Sequence, residues 1–97
     1  MPFLRYQDES GVHYYELGTK EKLIIGRGKD CDIPLNDNQA SRHHCEVKRL
    51  PGGFVVNDLG SKNGTMVNGM PVSSWTLKED DLVTVGGTSI LFRMTRA

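Results

Sequence analysis

Apolar residues recur at spacing two along most of this chain, with polar residues between them and turn-forming residues at short intervals. That period puts alternate side chains on opposite faces of an extended segment, so it predicts many short β-strands and no long helix. A first strand is predicted from Phe3 to Gln7. A second runs from Val12 to Leu17, with Val12 and Tyr14 on one face, Tyr15 and Leu17 straddling the other, and Gly18 ending it. Leu23-Ile24-Ile25 is a short run closed by Gly26. Ile33 and Leu35 repeat the spacing around Pro34, which an edge or strand-end position tolerates. From His44 to Arg49, Cys45 and Val47 alternate with Glu46 and Lys48. The turn Pro51-Gly52-Gly53 then sends Phe54 to Asp58 back as the other half of a hairpin.

The later pieces are shorter. Met66-Val67 and Pro71-Val72 precede a strand with Val83 and Val85 on one face. Gly86-Gly87 turns it, and Ile90, Phe92 and Met94 form the inward row of the last strand. Ser74 to Asp80 is the one helix-compatible patch, but Trp75 and Leu77 lie too close in sequence to define a helical stripe. Turns every eight to twelve residues or so favour a sandwich or a barrel. The eleven glycines and four prolines fit an all-β domain, and 97 residues suffice for one domain spanning 1–97, with its core over about 12–94, and not for two.

Charge narrows the function classes. Twelve Lys and Arg face twelve Asp and Glu, so no overall positive field draws the chain to nucleic acid or an anionic membrane. No basic stripe with interleaved aromatics replaces that field, so neither nucleic acid nor membrane is an expected partner. No apolar run approaches the roughly 18 residues of a spanning helix. Met1 to Glu9 lacks the layout of a secretion signal, so the expected location is cytoplasmic, as a soluble protein or a piece of a larger one. Cys31 and Cys45 sit in or beside apolar strand patterns and are expected as buried free thiols, not as a disulfide. A zinc set of Cys31, His43, His44 and Cys45 is disfavoured, because three adjacent residues on an extended segment point to alternate faces. The sequence calls for no metal and no cofactor.

Candidate chemistry sits in three polar loops: Gly26-Arg27-Gly28-Lys29, Ser41-Arg42-His43-His44, and Ser61-Lys62-Asn63-Gly64 within a stretch holding two Asn-Gly pairs. Asn-Gly is the strongest short signal for a turn with positive φ. A hydroxyl, a cation and an amide on one such turn can donate hydrogen bonds to an anion, with backbone N–H groups as a nest. If the loops meet, Arg27, Ser41, Arg42, Lys62 and Asn63 converge on a phosphate. Arg27 supplies a planar fork for two oxygens, Lys62 a compact point charge, and Ser41 a short neutral donor. Catalysis is not expected. Gly26 to Lys29 lacks the Gly-Lys-Ser/Thr ending and following helix of a nucleotide-binding loop, and Ser41 and His44 have no third group in evident reach.

The ordered set Gly26-Arg27, Ser41-Arg42-His43-His44 and Asp58 to Gly69, followed by Asp81-Leu82-Val83-Thr84-Val85-Gly86, resembles the forkhead-associated (FHA) domain from roughly Leu17 to Phe92. The resemblance implies an eleven-stranded, antiparallel-type β-sandwich of the FHA/SMAD-like kind, with binding loops at one end. It also implies a recognition module, not an enzyme, that binds phosphothreonine in an extended protein segment, in trans or in cis, as part of a larger multidomain protein. Thr19, Thr76 and Thr95 are the candidates in cis. By resemblance, Arg27 and Ser41 hold the phosphate, Lys62 reaches it, Asn63 bonds the peptide main chain and Arg42 faces the peptide. His44 and Asn68 brace the loops, while Gly26 and Gly64 supply the turns. Two positions depart from the family pattern: Asp80 stands in the place of a glycine, where Asp tolerates a left-handed turn, and Ala40 in the place of a larger aliphatic residue. The alternative function is an interaction module of the same fold that works without phosphate.

Overall fold

The computed structural model describes residues 1–94. Eleven strands and no helix occur among them: β1 (Phe3–Asp8), β2 (Gly11–Glu16), β3 (Lys22–Gly26), β4 (Ile33–Pro34), β5 (Cys45–Leu50), β6 (Gly53–Asp58), β7 (Thr65–Val67), β8 (Met70–Val72), β9 (Ser74–Thr76), β10 (Leu82–Val85) and β11 (Thr88–Arg93). They form a six-stranded sheet in the order β2-β1-β11-β10-β7-β8 and a five-stranded sheet in the order β4-β3-β5-β6-β9. The pairings are antiparallel except β3 with β4, which run parallel through Ile25↔Ile33 and Gly26↔Pro34. Pro34 fits there because β4 is an edge strand, where a missing N–H costs no ladder bond.

The two sheets close on the residues that the alternation marks. Leu4, Leu23, Ile25, Val47, Val56, Val83, Val85, Ile90 and Phe92 are all buried in one cluster. Phe54 of β6 meets Phe92 of β11 edge-on across the interface, with ring centroids 5.8 Å apart. Such a pair adds about 0.5–1.5 kcal/mol beyond its area burial.

Two local expectations change. The helix-compatible patch opens with a strand: β9 pairs with β6 through Val56↔Trp75. Pairing with an existing sheet outweighs weak local preference in so short a piece. Met94, expected in the inward row, lies past the end of β11 and is 37% exposed. Asp80 does take the left-handed turn, at φ 67°.

Register puts the three polar loops at the same end of the sandwich. Ile25 pairs with Cys45 and Cys45 with Asp58, so β3 ends where β5 begins and β6 ends. In the facing sheet Val85 pairs with Thr65, so the turn after β10 and the loop before β7 share an end as well. The sheets are tied there by Asp37. Its carboxylate accepts the Gly87 N–H at 2.8 Å, the Thr88 hydroxyl at 2.7 Å and the Gln39 N–H at 2.9 Å. Gly86 has a φ of 62° and approaches buried Ala40 so closely that a Cβ would lie 2.7 Å from the Ala40 nitrogen.

Candidate functional site

The first two loops are joined backbone to backbone. The Arg27 N–H donates to the Ser41 carbonyl and the Gly28 N–H to the Arg42 carbonyl, each at 2.9 Å. This approach requires Gly26 to lack a side chain, since a Cβ would sit 2.3 Å from the Arg42 carbonyl oxygen. Arg27 itself is exposed, and its Nε donates to the Ala40 carbonyl at 3.1 Å. That bond anchors the guanidinium while its terminal nitrogens take no partner among the described residues.

The third loop docks onto the second. The Lys62 N–H donates to Ser41 Oγ at 2.9 Å, which leaves the Ser41 hydroxyl proton free to donate elsewhere. Asn63 Nδ2 donates to the Gln39 carbonyl at 2.8 Å. Beneath them stands His44, wholly buried. Its Nδ1 accepts the Ser41 N–H at 3.0 Å and its Nε2 bonds the Gly64 carbonyl at 2.8 Å. An accepting Nδ1 leaves the ring proton on Nε2, so the imidazole is a neutral strut between two loops. Gly64, at φ 81°, turns its loop so that its carbonyl meets that strut.

Asp58 shapes the third loop from within. Its carboxylate accepts the N–H groups of Gly60 and Ser61 at 3.0 and 3.1 Å, and the hydroxyls of Ser61 and Thr65 at 2.5 and 2.7 Å. Burial pushes this carboxyl up, but the hydrogen bonds from Ser61, Thr65 and the backbone outweigh it and hold the group below the usual carboxylate range. A carboxyl depressed in the folded state contributes stability above its unfolded pKa and loses it as pH falls through the folded one. The melting temperature is therefore expected to fall as pH drops below about 4. An Asp58→Asn variant should start lower and show a shallower fall. A parallel pair of curves would remove Asp58 from the acid response.

Arg27, Ser41, Arg42, Lys62 and Asn63 thus lie on loops bonded to one another. No ion pair among the described residues engages Arg27, Arg42 or Lys62, so three cations face solvent on this end without a bonded carboxylate. A cleft of about 280 Å³ opens beside them, lined by Arg27, Lys29, Pro34, Leu35, Asn36 and Asn38.

Asn68 is a correction. It does not brace the binding loops, because β7 carries it to the other end of the sandwich. There it takes a φ of 52° in the β7–β8 turn, donates to Asp81 at 2.9 Å and accepts the Leu82 N–H at 2.9 Å. Asp37 and Asp58 organise these loops although neither is marked by the three polar motifs as a ligand-binding residue. Both accept the N–H of the residue two positions on, the pattern of an Asx turn, which an Asp opening a polar loop signals.

Among curated proteins, FhaA of Mycobacterium tuberculosis is 41% identical over 94% of this chain, which spans 17% of FhaA. The ABC transporter ATP-binding/permease protein Rv1747 of the same organism is 43% identical over 70% of the chain, which spans 8% of that protein. The glycogen accumulation regulator GarA of Mycolicibacterium smegmatis is 45% identical over 69% of the chain, which spans 42% of it. The chain therefore corresponds to a minor part of each. Among solved structures, the FhaA FHA domain complexed with the intracellular domain of Rv3910 superposes with a TM-score of 0.87 at 36% identity, covering 96% of this chain and all of that one. The FHA family model matches residues 23–86, from β3 through the turn after β10, and so takes in all three joined loops: this chain belongs to the FHA domain family.

Proposed function

We infer that the chain is a recognition module for phosphothreonine in extended protein segments, acting within a regulatory assembly. The observation that supports it best is the joining of three loops by Arg27 N–H to Ser41, Lys62 N–H to Ser41 Oγ and Asn63 to Gln39, which gathers Arg27, Ser41, Arg42, Lys62 and Asn63. A phosphothreonine brings about −1.5 to −2 charges and three acceptor oxygens. On this reading Arg27 and the Ser41 hydroxyl take the phosphate, Lys62 adds charge, Arg42 faces the peptide, and Asn63 exchanges its bond to Gln39 for one to the peptide main chain. Among similar structures, a domain described through phosphothreonine-dependent FHA interactions superposes with a TM-score of 0.85 at 34% identity, covering 99% of this chain and 98% of its own.

The site is built to bind and not to catalyse. His44 spends both ring nitrogens on loop backbone, so it has none to activate the Ser41 hydroxyl. Of the threonines that are candidates in cis, two sit away from the joined loops, which favours a partner in trans. Thr19 precedes β3 at the end remote from the loops, and Thr76 lies within β9 opposite Val55. Thr95 lies outside the described residues.

Each charge-assisted hydrogen bond contributes roughly 1.5–3 kcal/mol net. Two or three, less the ordering of a flexible peptide, correspond to a Kd near the micromolar range. Calorimetric titration with a phosphothreonine peptide library and its unphosphorylated twin tests the reading, and equal binding of the two would end it in favour of a phosphate-independent module. Affinity should also weaken as pH falls through the second phosphate ionisation near 6, because the monoanion gives Arg27 and Lys62 less charge to hold. A flat profile from roughly pH 7.5 to 5 would count against a phosphate-centred site.

A further inference from the structure

We propose that Asp30, Cys31 and His43 form a site for one divalent transition-metal ion, of which Zn²⁺ is the best fit, on the flank of the joined loops. One oxygen, one sulfur and one nitrogen donor from these residues all lie within 4.8 Å of one another. His43 Nε2 and Asp30 Oδ2 are already 2.9 Å apart. Bond lengths of about 2.0–2.3 Å to a tetrahedral ion place its donors roughly 3.3–3.8 Å from each other. The imidazole and carboxylate therefore need to part slightly and the widest pair to close by about 1 Å.

The surroundings permit that adjustment. The Asp30 and His43 side chains are 71% and 55% exposed, so they move freely and leave the approach open. Cys31, 7% exposed, forms the fixed inner wall. Its position is set by backbone, since its N–H donates to the Gly28 carbonyl at 3.1 Å and the Gly28 N–H to the Arg42 carbonyl at 2.9 Å. A mixed sulfur, nitrogen and oxygen set suits zinc better than magnesium or calcium, which prefer oxygen alone. Three protein donors leave a fourth position for water.

The set escapes the objection to adjacent ligands because it is drawn from two loops. His43 faces solvent where His44 turns inward, and Cys45 is wholly buried, its thiol pushed up to about 12 chiefly by that burial. Burial raises the Cys31 thiol as well, so without metal it stays protonated and donates to the Arg42 carbonyl at 3.0 Å. Binding replaces the S–H bond by an S–metal bond and releases that proton to solvent; the N–H that His43 Nε2 offers Asp30 gives way to the Nδ1–H tautomer, which frees the Nε2 lone pair for the ion, and nothing is oxidised or reduced. The Arg42 carbonyl then keeps the Gly28 N–H as its remaining donor.

Cobalt(II) titration of the whole chain, under a non-thiol reductant, tests the site directly. A thiolate-to-cobalt charge-transfer band saturating at about one ion per chain, and reversed by Zn²⁺, is the expected result. The band should vanish in Cys31→Ser. His43→Ala and Asp30→Asn, both at exposed side chains, should each keep a weaker band with at least a tenfold higher Kd. Zinc should also shift the Gly28 amide resonance, a readout that requires no peptide. Absence of the band in the native chain, its survival in Cys31→Ser, or unchanged affinity in both surface variants would overturn the proposal.

Discussion

Arg27→Ala is expected to weaken binding of a phosphothreonine peptide by a hundredfold or more while barely moving the melting temperature. Among the described residues, the guanidinium is the one planar fork of the loop cations with a bond fixing its position, through Nε to Ala40. Its terminal nitrogens can take two phosphate oxygens at once. Losing two charge-assisted bonds of roughly 1.5–3 kcal/mol each raises Kd by about two to four orders of magnitude. The fold loses little, because the side chain is exposed and forfeits one hydrogen bond. Arg27→Lys restores the charge but not the fork, so it should recover only part of the loss. Paired calorimetry and thermal melts separate these outcomes, and native affinity in Arg27→Ala would remove the phosphate from this loop.

Much of this architecture is legible in the alternation. Leu23 and Ile25, Val83 and Val85, and Ile90 and Phe92 each mark a strand face two residues apart, and each pair is buried. The loops are legible because Asn and Gly adopt backbone conformations that other residues avoid, as Asn68, Gly64 and Gly69 show with φ of 52°, 81° and 84°. What is hidden depends on distance through the fold. Asn68 is close in sequence to Ser61–Gly64, yet three strand residues at about 3.3 Å each carry it roughly 10 Å away, to a different set of neighbours. β9 is hidden because three residues hold too little pattern to outweigh context, and its strand state comes from β6 beside it. Asp30 and His43 are thirteen residues apart, and backbone bonds such as Arg27–Ser41 and Gly28–Arg42 bring their loops together.

The same dependence on cross-loop bonds makes His44→Ala a severe change to the fold at this end. Both of its ring nitrogens hold backbone groups of other loop residues, Ser41 N–H and Gly64 carbonyl, and the ring is wholly buried. Truncation leaves those two groups without partners, at about 1–3 kcal/mol each, and opens a cavity between the loops. A loss of about 3–5 kcal/mol is expected, a large share of the roughly 5–15 kcal/mol that holds a domain folded. At about 4–8 °C per kcal/mol for a chain of this size, the melting temperature should fall by roughly 12–40 °C. Peptide affinity should fall too, even at temperatures where the variant is folded, because Ser41 and Lys62 no longer share a rigid support. Arg27→Ala and His44→Ala therefore part company: the first removes binding from a stable fold, whereas the second removes both together. A His44→Ala protein with native melting temperature and weakened binding would mean that water fills the gap and that the ring only positions Ser41. Native values of both would show that the loops meet without it.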